Sequence, residues 1–182
     1  CKNQLHAEES GAWPNTGSVK RIKQRVKLLN KQMTEIDAEI AAIVSKHELL
    51  KKKMEYVCSI KGVALLSAVI IVAETSGFNL GRNKKQLVSY AGLDVVEKES
   101  GISVKGKTKI SRKGNKYLRK ALHFPALVAI RHNEQMKTVY NRLLSRHGIK
   151  MKAAVAVQKK ILEFVYVLWK KEELFDQQYL KN

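Results

Sequence analysis

The stretch MKAAVAVQKKILEFVYVLWKKEELF, residues 151–175, is apolar on nearly every side between Ala153 and Trp169. A helix without a polar face is normally central and buried, because no rotation about its axis keeps the apolar side chains from water. The rest of the chain must then supply helices that cover it. Upstream, residues 134–147 read as a polar helix ended by Gly148, and Asn115 to Arg131 as another, with a kink or break expected at Pro125. NKKQLVSYAGLDV, residues 83–95, reads as a short helix capped by Asn83, with Leu87, Val88 and Tyr90 facing inward and Gly92 closing it.

Further out lies SIKGVALLSAVIIVAETSGF, residues 59–78, in which the turn Lys61-Gly62-Val63-Ala64 leads into an apolar helix from Leu65 to Glu74 that Gly77 ends. This resembles a helix-hairpin-helix element, whose glycine turn aims backbone N–H groups at a nucleic-acid phosphate. A plain αα-hairpin bent at a glycine is the alternative, and Ala64 stands where the usual turn has a second glycine. Before it, Ile22, Val26, Leu29, Met33, Ile36, Ile40, Ile43, His47, Leu50, Met54 and Val57 recur at alternating spacings of four and three. That seam predicts a coiled-coil helix over 18–58, begun by Ser18 as N-cap and broken in pattern at His47. It either pairs with a second copy or folds back on another helix. Residues 1–17, with Gly11, Pro14, Asn15 and Gly17, read as an irregular leader.

The formal net charge is +19, from 35 Lys and Arg against 16 Asp and Glu. Self-repulsion on that scale points to an anionic partner, and nucleic acid fits best. No apolar run long enough to span a bilayer is present, so no membrane partner is expected. Cys1 and Cys58 build no disulfide framework, which suits a reducing cytoplasm. The chain begins at Cys1 rather than Met, and a longer parent protein is the expectation.

The charge concentrates in KESGISVKGKTKISRKGNKYLRK, residues 98–120, where nine Lys and Arg face one Glu. VVEKESGISVKGKTKI carries enough β-branched residues for a loose hairpin turning at Gly106. A serine hydroxyl attacks a phosphodiester when its proton is removed and the developing charge is stabilised, and neighbouring cations supply the second condition. Ser100, followed by Gly101, suits that chemistry best, with Ser103 and Ser111 as rivals. On residue chemistry alone a phosphate-binding surface remains the simpler reading. Metal binding is not indicated: His6, His47, His123, His132 and His147 are scattered, and Asp94, Glu97 and Glu99 sit among lysines.

IKGVALLSAVIIVAE, KQLVSYAGL, ESGISVKGKTKISRKGNKYLRKAL and AAVAVQKKILEFVYVL follow one another at close spacing. Together they resemble the C-terminal transposase domain of the insertion-sequence one-ten (or one-sixteen) type, over roughly residues 18–176 with the coiled coil included. The resemblance implies a DNA transposase or recombinase whose serine becomes covalently linked to DNA, and by its match to ESG that serine is Ser100. It implies phosphate contacts from the basic segment at Lys105, Lys107, Lys109, Arg112, Lys113, Lys116 and Arg119, while Lys61 and Gly62 are the contacts that the helix-hairpin-helix reading of the turn adds. It also implies an N-terminal carboxylate domain holding Mg2+, absent from this chain, so that the fragment is inactive alone. Some members use a structured guide RNA.

The expected fold is mainly α. A leader (1–17) and coiled coil (18–58) precede a helical domain (59–182) comprising the helix-hairpin-helix-like part (59–92), a basic catalytic loop (93–114) and a helical bundle (115–174). The expected partners are DNA, guide RNA and further copies of the chain as dimer or tetramer, in a bacterial cytoplasm at the nucleoid. A non-catalytic nucleic-acid-binding module with a dimerising helix is the alternative.

Overall fold

The computed structural model describes residues 1–80, 83–96 and 109–176, together with the backbone at 99–100 and 104–105. Among these residues the fold is mainly α, with eight helices and four two-residue strands. The chain divides into two compact units, Cys1–Lys46 and His47–Asn182.

In the first unit α1 (Lys2–Glu9) packs on α2 (Thr16–Lys46), with Lys23 Nζ 2.8 Å from Glu9 Oε1. The leader expected to be irregular thus contains a helix. KNQLHAEE is built mostly from good helix formers, and the Gly and Pro signals come only after it. The N-cap is Asn15, whose Oδ1 accepts from the Ser18 N–H at 2.9 Å, and not Ser18 itself. The single helix expected over 18–58 is two: α2 stops at Lys46, His47 takes extended angles (φ −116°, ψ 97°), and α3 (Glu48–Cys58) begins. His47 is exposed and is the one seam position without an apolar side chain.

The second unit is organised around α8 (Lys150–Lys171), which buries ten side chains from Ala153 to Trp169. Against it pack α3, α5 (Lys84–Tyr90), α6 (Lys116–His132) and α7 (Glu134–His147), while α4 (Leu65–Glu74) packs on α3 and α6. After α4, Thr75 Oγ1 donates back to the Ile71 carbonyl at 2.8 Å, and the turn brings Phe78 into ring contact with Tyr166 and Trp169. Asn83 caps α5 by accepting from the Gln86 N–H at 2.9 Å. Tyr90 is exposed rather than buried, because its hydroxyl reaches back to the Glu74 carbonyl at 3.1 Å. At the far end, Lys53 pairs with Glu172 at 2.8 Å and lies over the Trp169 ring.

Of the kink or break expected at Pro125, the break is not there: α6 runs through it. A proline removes one N–H and crowds one carbonyl, and here Pro125 is held among the buried residues of a 17-residue helix packed on α4, α7 and α8. Gly62 (φ +105°) explains part of that packing. A Cβ on it would lie 2.8 Å from the Pro125 carbonyl oxygen and 3.1 Å from the Ala129 nitrogen, so the turn seats directly on the α6 backbone.

Candidate nucleic-acid interface

The basic segment leaves and re-enters the helical domain at a single clasp. Gly92 (φ +66°) closes α5, and Gly114 lies against it. A Cβ on Gly92 would stand 2.7 Å from the Gly114 nitrogen, and one on Gly114 would stand 2.5 Å from the Gly92 nitrogen and overlap the Tyr90 carbonyl oxygen. Only glycine at both positions allows the two backbones so close. The contact is then stitched by hydrogen bonds: the Asn115 N–H donates to the Tyr90 carbonyl at 2.7 Å, and the Ser111 N–H to the Asp94 carbonyl at 2.9 Å. Asn115 also caps α6, accepting from the Tyr117 and Leu118 N–H groups, while its Nδ2 donates to Glu74 Oε2 at 2.6 Å.

Beyond the clasp the chain forms a short antiparallel ladder. β1 (Val95–Val96) pairs with β4 (Lys109–Ile110), and β2 (Glu99–Ser100) with β3 (Val104–Lys105). Pairing Ser100 with Val104 ends the described ladder on either side of residues 101–103, whereas the turn expected at Gly106 lies outside the described residues. The register sets Glu99 across from Lys105. Ser100 thus occupies the outermost described rung of a hairpin whose base is clamped to the domain.

The candidate residues fall into distinct groups. Lys109, Arg112, Lys113 and Lys116 are exposed, and among the described residues no carboxylate lies within ion-pair range of any of them. Lys61 is exposed at the turn before α4, while Gly62 is seated against α6. Arg119 is half-buried: its Nη1 donates to the carbonyls of Ala91 at 2.8 Å, Gly114 at 2.9 Å and Asn115 at 3.3 Å, so that nitrogen braces the clasp. Lys105 lies on β3; Lys107 and Ser103 lie outside the described residues. Of the serine candidates, Ser111 gives its hydroxyl to Asp94 Oδ1 at the foot of the hairpin. The network of Glu74, Tyr90 and Asn115 was not singled out from the sequence, since its members are 16 to 41 residues apart and only the fold joins them.

Among the described residues no cluster of three or more His, Cys, Asp or Glu could hold a metal ion, and no helix is long and apolar enough to cross a membrane. Burial pushes the pKa of the Cys58 thiol above its ordinary value.

Residues 54–141, from α3 to α7, match the model of the Transposase IS116/IS110/IS902 family. The chain is 26% identical over 148 residues to a pilin gene-inverting protein of Moraxella lacunata, covering 79% of this chain and 45% of that protein. It is 22% identical over 165 residues to the insertion element IS110 uncharacterized 43.6 kDa protein of Streptomyces coelicolor (88% and 40%). To the insertion element IS900 uncharacterized 42 kDa protein of Mycobacterium paratuberculosis it is 26% identical over 168 residues (92% and 40%). The chain therefore spans less than half the length of these curated relatives. The family match is to a transposase domain, and it encloses the Gly62 turn, the clasp and the whole basic hairpin.

Proposed function

We propose that this chain is the C-terminal part of a DNA transposase or recombinase in which Ser100 is the nucleophile. The observation that carries the reading is that the transposase match over residues 54–141 encloses a clamped, cationic hairpin with Ser100 on its outer rung. The step is an exchange of esters: the Ser100 oxygen forms a bond to a backbone phosphorus, one strand oxygen leaves, and the serine proton is passed to that oxygen or to solvent. Lys109, Arg112, Lys113 and Lys116, with Lys105 and Lys107, neutralise the phosphate charge that grows as the bond forms. The Mg2+ that the resemblance assigns to an N-terminal carboxylate domain has no counterpart cluster among the described residues, and no part of this step is routed through it. The same reading gives the protein DNA and a structured guide RNA as partners.

The test uses the complete protein that carries this chain, with a plasmid recombination substrate. Ser100→Ala is expected to abolish recombination, by a thousandfold or more on the scale of lost nucleophiles, while DNA affinity changes less than about twofold. Ser111→Ala should retain recombination at a stability cost of about 1–2 kcal/mol from the lost bond to Asp94. Recombination that survives Ser100→Ala would remove Ser100 from the chemistry.

The helix α2 supplies the second half of the proposal. Its seam residues Leu29, Met33, Ile36 and Ile43 are exposed in the single chain, an arrangement that a second copy would cover. Sedimentation of the 182-residue chain is expected to give a dimer or larger, and Ile36→Lys with Met33→Lys to shift it to monomer. A monomeric wild type at micromolar concentration would contradict this.

A further inference from the structure

Past the clasp, α6 turns outward a face that the phosphate-binding reading leaves unused. Tyr117 is 51% exposed and Phe124 is 72% exposed. Seven residues, or about two turns, separate them, so both rings stand on one face about 10 Å apart along the axis. Lys116 and Lys120, one turn apart, flank that face; Lys116 Nζ lies 5.2 Å from the Tyr117 ring centroid. Phe124 meets the edge of His123 at 5.5 Å and offers most of its ring to solvent. Over its 17 residues α6 contains no Asp or Glu.

We propose that this face is a stacking platform for the unpaired bases of single-stranded DNA, with Tyr117 and Phe124 receiving bases and Lys116 and Lys120 meeting the phosphates between them. The charge decides the occupant. An apolar protein surface laid on Phe124 would leave the two lysines desolvated without an anion, whereas a single strand brings π-faces and phosphates together. Every base has such a face, so stacking of this kind is tolerant of sequence and contributes about 1–3 kcal/mol per base. The separation of the rings, about 10 Å, matches roughly three stacked steps of one strand. A duplex hides its base faces and cannot use the platform. The inference rests on DNA being the partner, and it adds to the salt-driven hairpin contact a base-dependent one that only a melted strand can make.

The test is fluorescence anisotropy with the 182-residue chain and four probes: a short single-stranded DNA, the same strand made abasic, its duplex, and the RNA of the same sequence. The single strand is expected to bind roughly 5- to 100-fold more tightly than the abasic strand. Phe124→Ala and Tyr117→Ala should each remove about half of that difference, counted as free energy, while leaving the duplex and abasic affinities unchanged. Phe124→Trp should retain it and Phe124→Leu should not. Both side chains are exposed, so these variants are expected to fold, which circular dichroism checks. Equal binding of the normal and abasic strands, or Phe124→Leu behaving as wild type, overturns the platform while leaving the hairpin reading intact. Tighter binding of RNA than of DNA overturns the assignment to DNA, and a change in sedimentation on Phe124→Ala gives the face to a second copy instead. Failure to bind any of the four probes overturns the DNA reading itself.

Discussion

Gly114→Ala is expected to lower the melting temperature of the helical domain by roughly 10 °C, from a loss of about 3 kcal/mol. The added methyl would overlap the Tyr90 carbonyl oxygen and stand 2.5 Å from the Gly92 nitrogen, and both are backbone atoms that cannot rotate away. Relief requires the strand entering α6 to move off the end of α5. That movement breaks the Asn115 bond to the Tyr90 carbonyl, the Asn115 bond to Glu74, and the three carbonyls gathered by Arg119. The control is Gly148→Ala: Gly148 also has φ +66°, but a Cβ there meets nothing within 4 Å. It should lose only the left-handed backbone term, about 1 kcal/mol. Thermal unfolding followed at the helical circular dichroism band separates the two. If Gly114→Ala melts no lower than Gly148→Ala, the clasp is not what holds the hairpin base.

DNA binding by this chain is expected to weaken about a thousandfold between 50 and 200 mM salt, as release of counterions from roughly six phosphates requires. The cations available are the exposed Lys109, Arg112, Lys113 and Lys116, with Lys105 on β3 and Lys107 close by in the sequence. Replacing any one of the four exposed residues by Gln should reduce the slope of log affinity against log salt by about one. Arg119→Gln should behave differently. Its Nη1 is committed to the Ala91, Gly114 and Asn115 carbonyls, so the variant loses thermal stability while its salt slope changes little. An Arg119→Gln slope reduced as far as that of Lys113→Gln would make Arg119 a phosphate ligand after all.

The helices were readable because their burial patterns are local. An all-round apolar run has one solution, and α8 takes it; Asn83, Asn115 and Asn133 cap helices in positions where a short polar side chain competes for free N–H groups. The break at His47 was marked in the seam by the one polar side chain among the apolar positions, but the pattern resumed after it and read as a single helix. What the sequence concealed was long-range. Arg119 lies in the cationic run expected to meet phosphate, and nothing local shows that three carbonyls converge on its Nη1. Gly62 reads as a turn residue and is one (φ +105°), but the close approach of α6, more than 60 residues away, which also forbids a side chain there, has no local mark. Tyr117 and Phe124 did leave a signal, since two aromatics seven apart on a helix without carboxylates share a face.

The most direct test of the account is a denaturing gel of the complete protein incubated with labelled recombination substrate, followed by mass spectrometry of any protein–DNA adduct. The account predicts a covalent adduct on the peptide containing Ser100, absent in Ser100→Ala and present in Ser103→Ala and Ser111→Ala. An adduct on another residue, or recombination proceeding with none formed, would contradict it.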